Sequence, residues 1–169
     1  LLAAFAAPAG ARQAASPGND GQALVAGTEV FIRIFKAEDE LELWLKPPGA
    51  ETFDLAETFP ICAWSGRLGP KLREGDGQSP EGFYKVRPGS LNPNSAYHLS
   101  FNLGFPNAYD RAHSRTGSFL MVHCACASIG CYAMTDPLVD ELYRLTRAAT
   151  NTPGTGFWIH AFPFRMTQN

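Results

Sequence analysis

The chain has 169 residues, 45% hydrophobic and 18% charged, and its 14 Lys+Arg against 16 Asp+Glu leave a formal charge of −2. That balance excludes a wholly disordered tail, and a pI near 6.1 excludes the basic footprint that a nucleic-acid binder needs to displace counterions from phosphate. One domain is the default at this length, and the 16 Gly, 13 Pro and 12 Phe favour aromatic-rich strands joined by tight turns over a helical bundle.

The chain opens Leu1-Leu2-Ala3-Ala4-Phe5-Ala6-Ala7-Pro8, carries no charge until Arg12, and continues in small and polar residues to Gly27. Residues 1–27 are therefore expected to be the remnant of a secretory signal peptide and a flexible linker, with the folded domain over 28–169. The apolar run is shorter than the ~20 residues that cross a bilayer, so no membrane span is expected in the mature domain.

From Glu29 the texture becomes that of strands. Val30-Phe31-Ile32-Arg33-Ile34-Phe35 is β-branched and aromatic, and Leu41-Glu42-Leu43-Trp44-Leu45-Lys46 alternates after a charged turn. Thr58-Phe59-Pro60-Ile61-Cys62-Ala63-Trp64 predicts another strand, with Pro60 placing part of it at an edge. The glycine-rich, charged stretch from Ser65 to Ser79 predicts a long loop, a length that usually means function or disorder. Phe83-Tyr84-Lys85-Val86 and Tyr97-His98-Leu99-Ser100-Phe101-Asn102-Leu103 predict further strands, and Pro88 to Ser95 between them is dense in turn formers. Ser118 to His123 is an apolar run. Asp136 as N-cap and Pro137 at the first helical position open a helix to about Ala149, with Leu138, Leu142, Leu145 and Ala149 as its buried stripe. Thr152 to Gly156 predicts a loop, and Phe157 to Phe162 a closing strand. The fold class is mainly β with one or two helices.

Of the cysteines Cys62, Cys124, Cys126 and Cys131, three fall within eight residues of one another. Strand geometry over Met121-Val122-His123-Cys124-Ala125-Cys126 puts Val122, Cys124 and Cys126 on one face and His123 on the other. Ser128-Ile129-Gly130-Cys131 reads as a turn ending in a thiol, with Gly130 permitting close backbone approach. Three chemistries fit the cluster. Cys131 could be a nucleophile whose proton goes to His123, with its pKa expected below that of a free thiol. His123, Cys124, Cys126 and Cys131 could bind zinc, although His-Cys-x-Cys-x4-Cys is not a familiar zinc spacing. The cysteines could instead be buried hydrophobes or disulfides of an oxidising compartment.

The order of motifs goes further than spacing. Gly75-Asp76-Gly77-Gln78-Ser79-Pro80-Glu81-Gly82-Phe83-Tyr84 comes first and Phe105-Pro106-Asn107-Ala108-Tyr109-Asp110-Arg111-Ala112-His113 second. His123 and Ser128-Ile129-Gly130-Cys131-Tyr132-Ala133-Met134-Thr135 follow, with Phe162-Pro163-Phe164-Arg165-Met166-Thr167 near the end. Over roughly residues 28–167 this series resembles the YkuD-like L,D-transpeptidase family, and within it the YafK-like (DpaA) branch of peptidoglycan metabolism.

The resemblance implies a β-sandwich-like catalytic domain needing no cofactor and no metal. Cys131 matches the family's nucleophile, His123 its general base, and Gly130 and Ser128 the flanking glycine and hydroxyl. Ile129 stands where the family at large has a second His, and Cys124 where the branch commonly has Gly. The branch implies an exported amidase of the periplasm, acting as a monomer through a thioester. Its substrate would be the diaminopimelate–lysine link between peptidoglycan stem peptides and an outer-membrane lipoprotein. Cross-linking of peptidoglycan is the alternative, and a zinc-binding or inactive envelope-binding module a second one.

Arg67, Lys71, Arg73, Tyr109, Asp110, Arg111 and His113 are the candidates for holding the substrate's carboxylates and amines. The competing expectation for the charged ones is ordinary loop solvation, with Asp110 and Arg111 ordering a turn. Ser79 is expected to orient, not to attack. Trp64, Tyr84 and Trp158 are expected to pack inward, and His98 and His160 to be surface or satisfied core residues.

Overall fold

The structure is a computed structural model that describes residues 25–96, 98–150 and 156–166. The leader and linker expected before residue 25, and all but Gly156 of the loop expected at 152–156, lie outside the described residues.

Two sheets carry the fold. The first has five strands in the order β3-β2-β1-β9-β4, formed by β1 (Glu29–Phe35), β2 (Glu40–Lys46), β3 (Asp54–Pro60), β4 (Gly82–Val86) and β9 (Phe157–Phe162). The second has four, in the order β5-β6-β7-β8, formed by β5 (Leu91–Ser95), β6 (His98–Asn102), β7 (Met121–His123) and β8 (Tyr132–Ala133). Helix α1 spans Ala108–Ala112 and α2 Asp136–Thr150. Strands β1 and β9 pair in parallel, so the end of the chain returns to the middle of the first sheet.

Alternation explains the core. Val30, Ile32 and Ile34 of β1, Tyr84 and Val86 of β4, and Phe157, Ile159 and Ala161 of β9 point inward, against Phe101, Val122 and Tyr132 of the second sheet. The ring of Phe101 meets that of Phe157 edge-on, with centroids 5.7 Å apart. From α2 come Val139, Leu142, Tyr143, Leu145 and Thr146. Of the predicted stripe, Leu142 and Leu145 are buried and Leu138 packs partly buried against the core, with Val139 and Thr146 buried beside them, while the side chain of Ala149 lies outside what is described. Asp136 lies within the helix, and the Thr135 carbonyl, one residue earlier, accepts the N–H groups of Leu138 and Val139.

Three other expectations change. The third strand starts earlier, at Asp54, and ends on Pro60, which the edge position tolerates. The turn-rich stretch before Tyr97 holds a short helical turn at Pro88–Ser90 and then β5. Trp158 lies on the outer face of the first sheet, 48% exposed, beside Lys85, whereas Tyr84 is buried as expected. Strand parity decides between these two aromatics.

Candidate active site

Cys131 sits where an irregular loop turns into β8. Strands β7 and β8 pair in parallel with Val122 opposite Tyr132 and His123 opposite Ala133. Val122 and Tyr132 face the core, so His123 and Cys131 share the opposite face, one residue to either side of that pair. Strand spacing and rise place their Cα atoms about 8 Å apart on this diagonal. The Cys131 Sγ lies 3.4 Å from the Met121 N–H, which donates to it, and its S–H is aimed at the Phe119 carbonyl oxygen at 3.5 Å.

The His123 ring is buried, and its Nδ1 meets the Cys124 carbonyl oxygen. A carbonyl only accepts, so this contact puts the proton on Nδ1 and makes Nε2 the unprotonated nitrogen of the neutral ring. Burial pushes the Cys131 thiol above its ordinary pKa, and the Met121 N–H and the charge of Lys71 only partly pull it back. The expected low thiol pKa is therefore corrected: burial outweighs the stabilising neighbours, and the resting side chain holds its proton.

The peptide around the thiol is clamped by hydroxyls. Ser128 Oγ donates to the Cys131 carbonyl at 2.8 Å and accepts the Gly130 N–H at 3.1 Å. Ser79 Oγ donates to the same carbonyl at 2.8 Å. Gly130 has φ +144°, and a Cβ there would come within 3.2 Å of Leu120 Cδ1, so a side chain would be both strained and crowded. Because the Gly130 N–H is held by Ser128, the Cys131 N–H is the better placed of the two to meet an oxyanion.

Cys126 is joined to Cys62 in a disulfide, while Cys124 and Cys131 are free thiols. Zinc ligation by His123, Cys124, Cys126 and Cys131 therefore loses one ligand to a covalent bond. Among the described residues no group of three or more His, Cys, Asp or Glu side chains is arranged to hold a metal ion. Cys124 lies in the core, 1% exposed, and burial raises its pKa.

The stretch from Ser65 to Ser79 is ordered by buried polar groups. Lys36, 1% exposed, donates to the carbonyls of Arg67 and Gly69 and to Glu81. Gln78 Nε2 reaches the same two carbonyls, and its Oε1 accepts the Arg67 N–H. Lys71 pairs with Asp76 at 2.5 Å. Burial acts against the Asp76 carboxylate, but Lys71 and the N–H groups of Arg73, Leu72 and Gln78 hold it well below the usual range. Gly66, Arg67, Pro70, Leu72, Arg73, Asp76 and Gln78 line a groove of about 540 Å³. Of its lining residues, Gln78 approaches the Gly-Cys turn: its carbonyl oxygen would lie 3.7 Å from a Cβ on Gly130.

The predicted site residues divide accordingly. Cys131, Gly130, Ser128 and His123 gather around β7 and β8, with Arg67 and Arg73 exposed on the groove. Lys71 is buried against Asp76. Asp110 is also buried: it completes a capping box with Asn107 at the start of α1 and pairs with Arg115 at 3.0 Å. Arg111 folds back onto the Pro106 carbonyl. Tyr109 and His113 are exposed and packed on each other, centroids 4.0 Å apart. Sequence reasoning missed Ser65, Gln78 and Phe119. Phe119 is 74% exposed with φ +54°, and its carbonyl faces the thiol; no local pattern marks that placement.

The fold thus brings a buried imidazole and a thiol to one face of a parallel strand pair, beside a clamped Gly-Cys turn, on a two-sheet scaffold. No protein-family model matches the chain. YafK of Escherichia coli K12, itself named as a candidate L,D-transpeptidase, is 47% identical over 141 residues, covering 83% of this chain and 56% of that protein. The helical cell shape determining protein Pgp2 of Campylobacter jejuni matches in structure with TM-score 0.66 at 17% identity, over 84% of this chain and 50% of that one. Bd1075 of Bdellovibrio bacteriovorus matches with TM-score 0.54 at 18% identity, over 80% of this chain and 48% of that one. The chain belongs to the YkuD-like L,D-transpeptidase family. Within that family it falls in the YafK-like branch, and it spans little more than half the length of the relative it matches in sequence.

Proposed function

We propose that this chain is a peptidoglycan amidase of the periplasm that works through a Cys131 thioester and cuts the diaminopimelate–lysine link to a lipoprotein. The observation that carries the reading is the register of β7 and β8, which sets His123 and Cys131 on one face. Support also comes from the groove that Arg67 and Arg73 line and from the resemblance to the YafK-like branch.

In this mechanism His123 Nε2 takes the Cys131 proton as the sulfur attacks the amide carbonyl carbon. The negative charge moves onto the carbonyl oxygen, where the Cys131 N–H stabilises it; one such donor is worth ~3 kcal/mol in the transition state. The carbon–nitrogen bond then breaks, and the imidazolium returns its proton to the leaving lysine amine. A water whose proton passes to His123 attacks the thioester, the carbon–sulfur bond breaks, and the thiol is restored. Arg67 and Arg73 suit the free carboxylates of the stem peptide. Among the described residues no helix is long and apolar enough to cross a membrane.

Cross-linking differs only in the second half, where an amine replaces water, and the name of the YafK relative favours keeping it as the alternative. Mass spectrometry of products from sacculi bearing lipoprotein, with and without an added amine acceptor, decides. The expected result is released lipoprotein and free diaminopimelate carboxylate in both samples, lost in Cys131→Ala. Amine-linked products replacing the free carboxylate would overturn hydrolysis in favour of transfer.

A further inference from the structure

We propose that Ser79 is a positioning residue for the nucleophile, tying both ends of the groove loop to the Cys131 peptide; the inference rests on the acyl-transfer reading above. The groove-lining residues fall between Ser65 and Ser79, and these two serines bind each other. Ser79 Oγ accepts the Ser65 N–H at 3.0 Å, and the Ser79 N–H donates to the Ser65 carbonyl at 2.9 Å. Each then reaches the nucleophile turn: Ser79 Oγ donates to the Cys131 carbonyl at 2.8 Å, and Ser65 Oγ pairs with Ser128 Oγ at 3.3 Å. Ser128 donates to the same Cys131 carbonyl. Hydroxyls thus fill both lone pairs of that oxygen.

The consequence is geometric. The Cys131 carbonyl belongs to the peptide that joins the irregular turn to β8, so its orientation sets the direction in which Cys131 presents its sulfur. Ser79 is fully buried, so water cannot replace its hydroxyl when it is removed. The carbonyl would be left with Ser128 alone, and the turn with freedom to rotate. A misplacement of about 1 Å at a reacting atom costs on the order of a hundredfold in rate. Substrate binding in the groove involves Arg67 and Arg73, which this change does not touch.

The test is Ser79→Ala in the whole chain, assayed for kcat and KM on lipoprotein-bearing peptidoglycan fragments, with Ser79→Thr and Cys131→Ala in parallel. Ser79→Ala is expected to lower kcat by about ten- to a hundredfold with KM within about twofold, and Ser79→Thr, which keeps the hydroxyl, to recover most of that loss. Should Ser79→Ala fail to melt cooperatively, Ser79→Cys keeps the volume with a weak donor and is expected to show the same kcat loss. A folded Ser79→Ala or Ser79→Cys with wild-type kcat overturns the proposal, as does a loss confined to KM. If Cys131→Ala still turns over, the acyl-transfer reading itself fails; if it is dead while Ser79→Ala is unimpaired, only the role of Ser79 fails.

Discussion

The thiol of Cys131 holds its proton at rest, because burial disfavours the thiolate more than the Met121 N–H and Lys71 favour it. In the proposed mechanism His123 takes that proton at the moment of attack, through the Nε2 that the contact between Nδ1 and the Cys124 carbonyl leaves unprotonated. This has a pH signature. A group whose folded pKa is raised stays protonated through neutrality and ionises only above the ordinary thiol value of about 8.5. Alkylation of Cys131 by iodoacetamide, followed by peptide mapping, should therefore be slow at neutral pH and rise with a midpoint above that value. A midpoint well below it would mean a preformed thiolate and would contradict the general-base role. Asp110 makes a different point at this scale. It looks like a substrate contact in the sequence beside Tyr109 and Arg111, yet it is spent on the α1 cap and Arg115; only packing reveals that a charged residue in a motif is buried.

At the scale of elements, the turn that carries Cys131 owes its place to the segment that follows β3. The N–H groups of Cys62 and Ala63 both donate to the Ala133 carbonyl, and the Cys62–Cys126 disulfide fixes the turn from its other end. Linking residues 64 apart in sequence restricts the unfolded chain, an effect worth about 2–4 kcal/mol. Cys62→Ser with Cys126→Ser should lower unfolding stability in urea by that amount. Dithiothreitol should lower the wild-type midpoint by a similar step and leave the double variant unmoved; a wild-type midpoint indifferent to dithiothreitol would show that the bridge adds nothing. The elements differed in how legible they were. β1, β2, β4, β9 and α2 stand out in the sequence because apolar residues recur at the strand or helix period. β5 does not, since Leu91-Asn92-Pro93-Asn94-Ser95 carries turn residues and forms a strand through pairing with β6. The helix α1, Ala108–Ala112, is too short to show a period, although the Asn107 and Asp110 cap was present to be read.

For the whole molecule, closure of the first sheet depends on β9 and the residues just after it. β9 inserts between β1 and β4, and Arg165 beyond it reaches Glu40 and Glu42 of β2, where Arg33 also binds Glu42. The Phe162 to Thr167 block, conspicuous in the sequence as part of the family series, therefore acts up to Met166, the last residue described there, by fastening the first sheet. The pairing of Cys131 with His123 could be proposed from motif order, but not the face they share, which depends on the parallel register of β7 and β8. Nor could the sequence reveal the clamp on the Cys131 carbonyl, whose donors Ser79 and Ser128 come from opposite sides of the chain's midpoint and meet only in the fold. The most direct test of the account is to mix the protein with a stem-peptide fragment carrying the diaminopimelate–lysine link, quench in acid within the first turnover, and map the adduct by mass spectrometry. The account predicts a thioester of the stem peptide on Cys131, reduced in His123→Ala; turnover with no adduct at any cysteine, or an adduct on Cys124 instead, would contradict it.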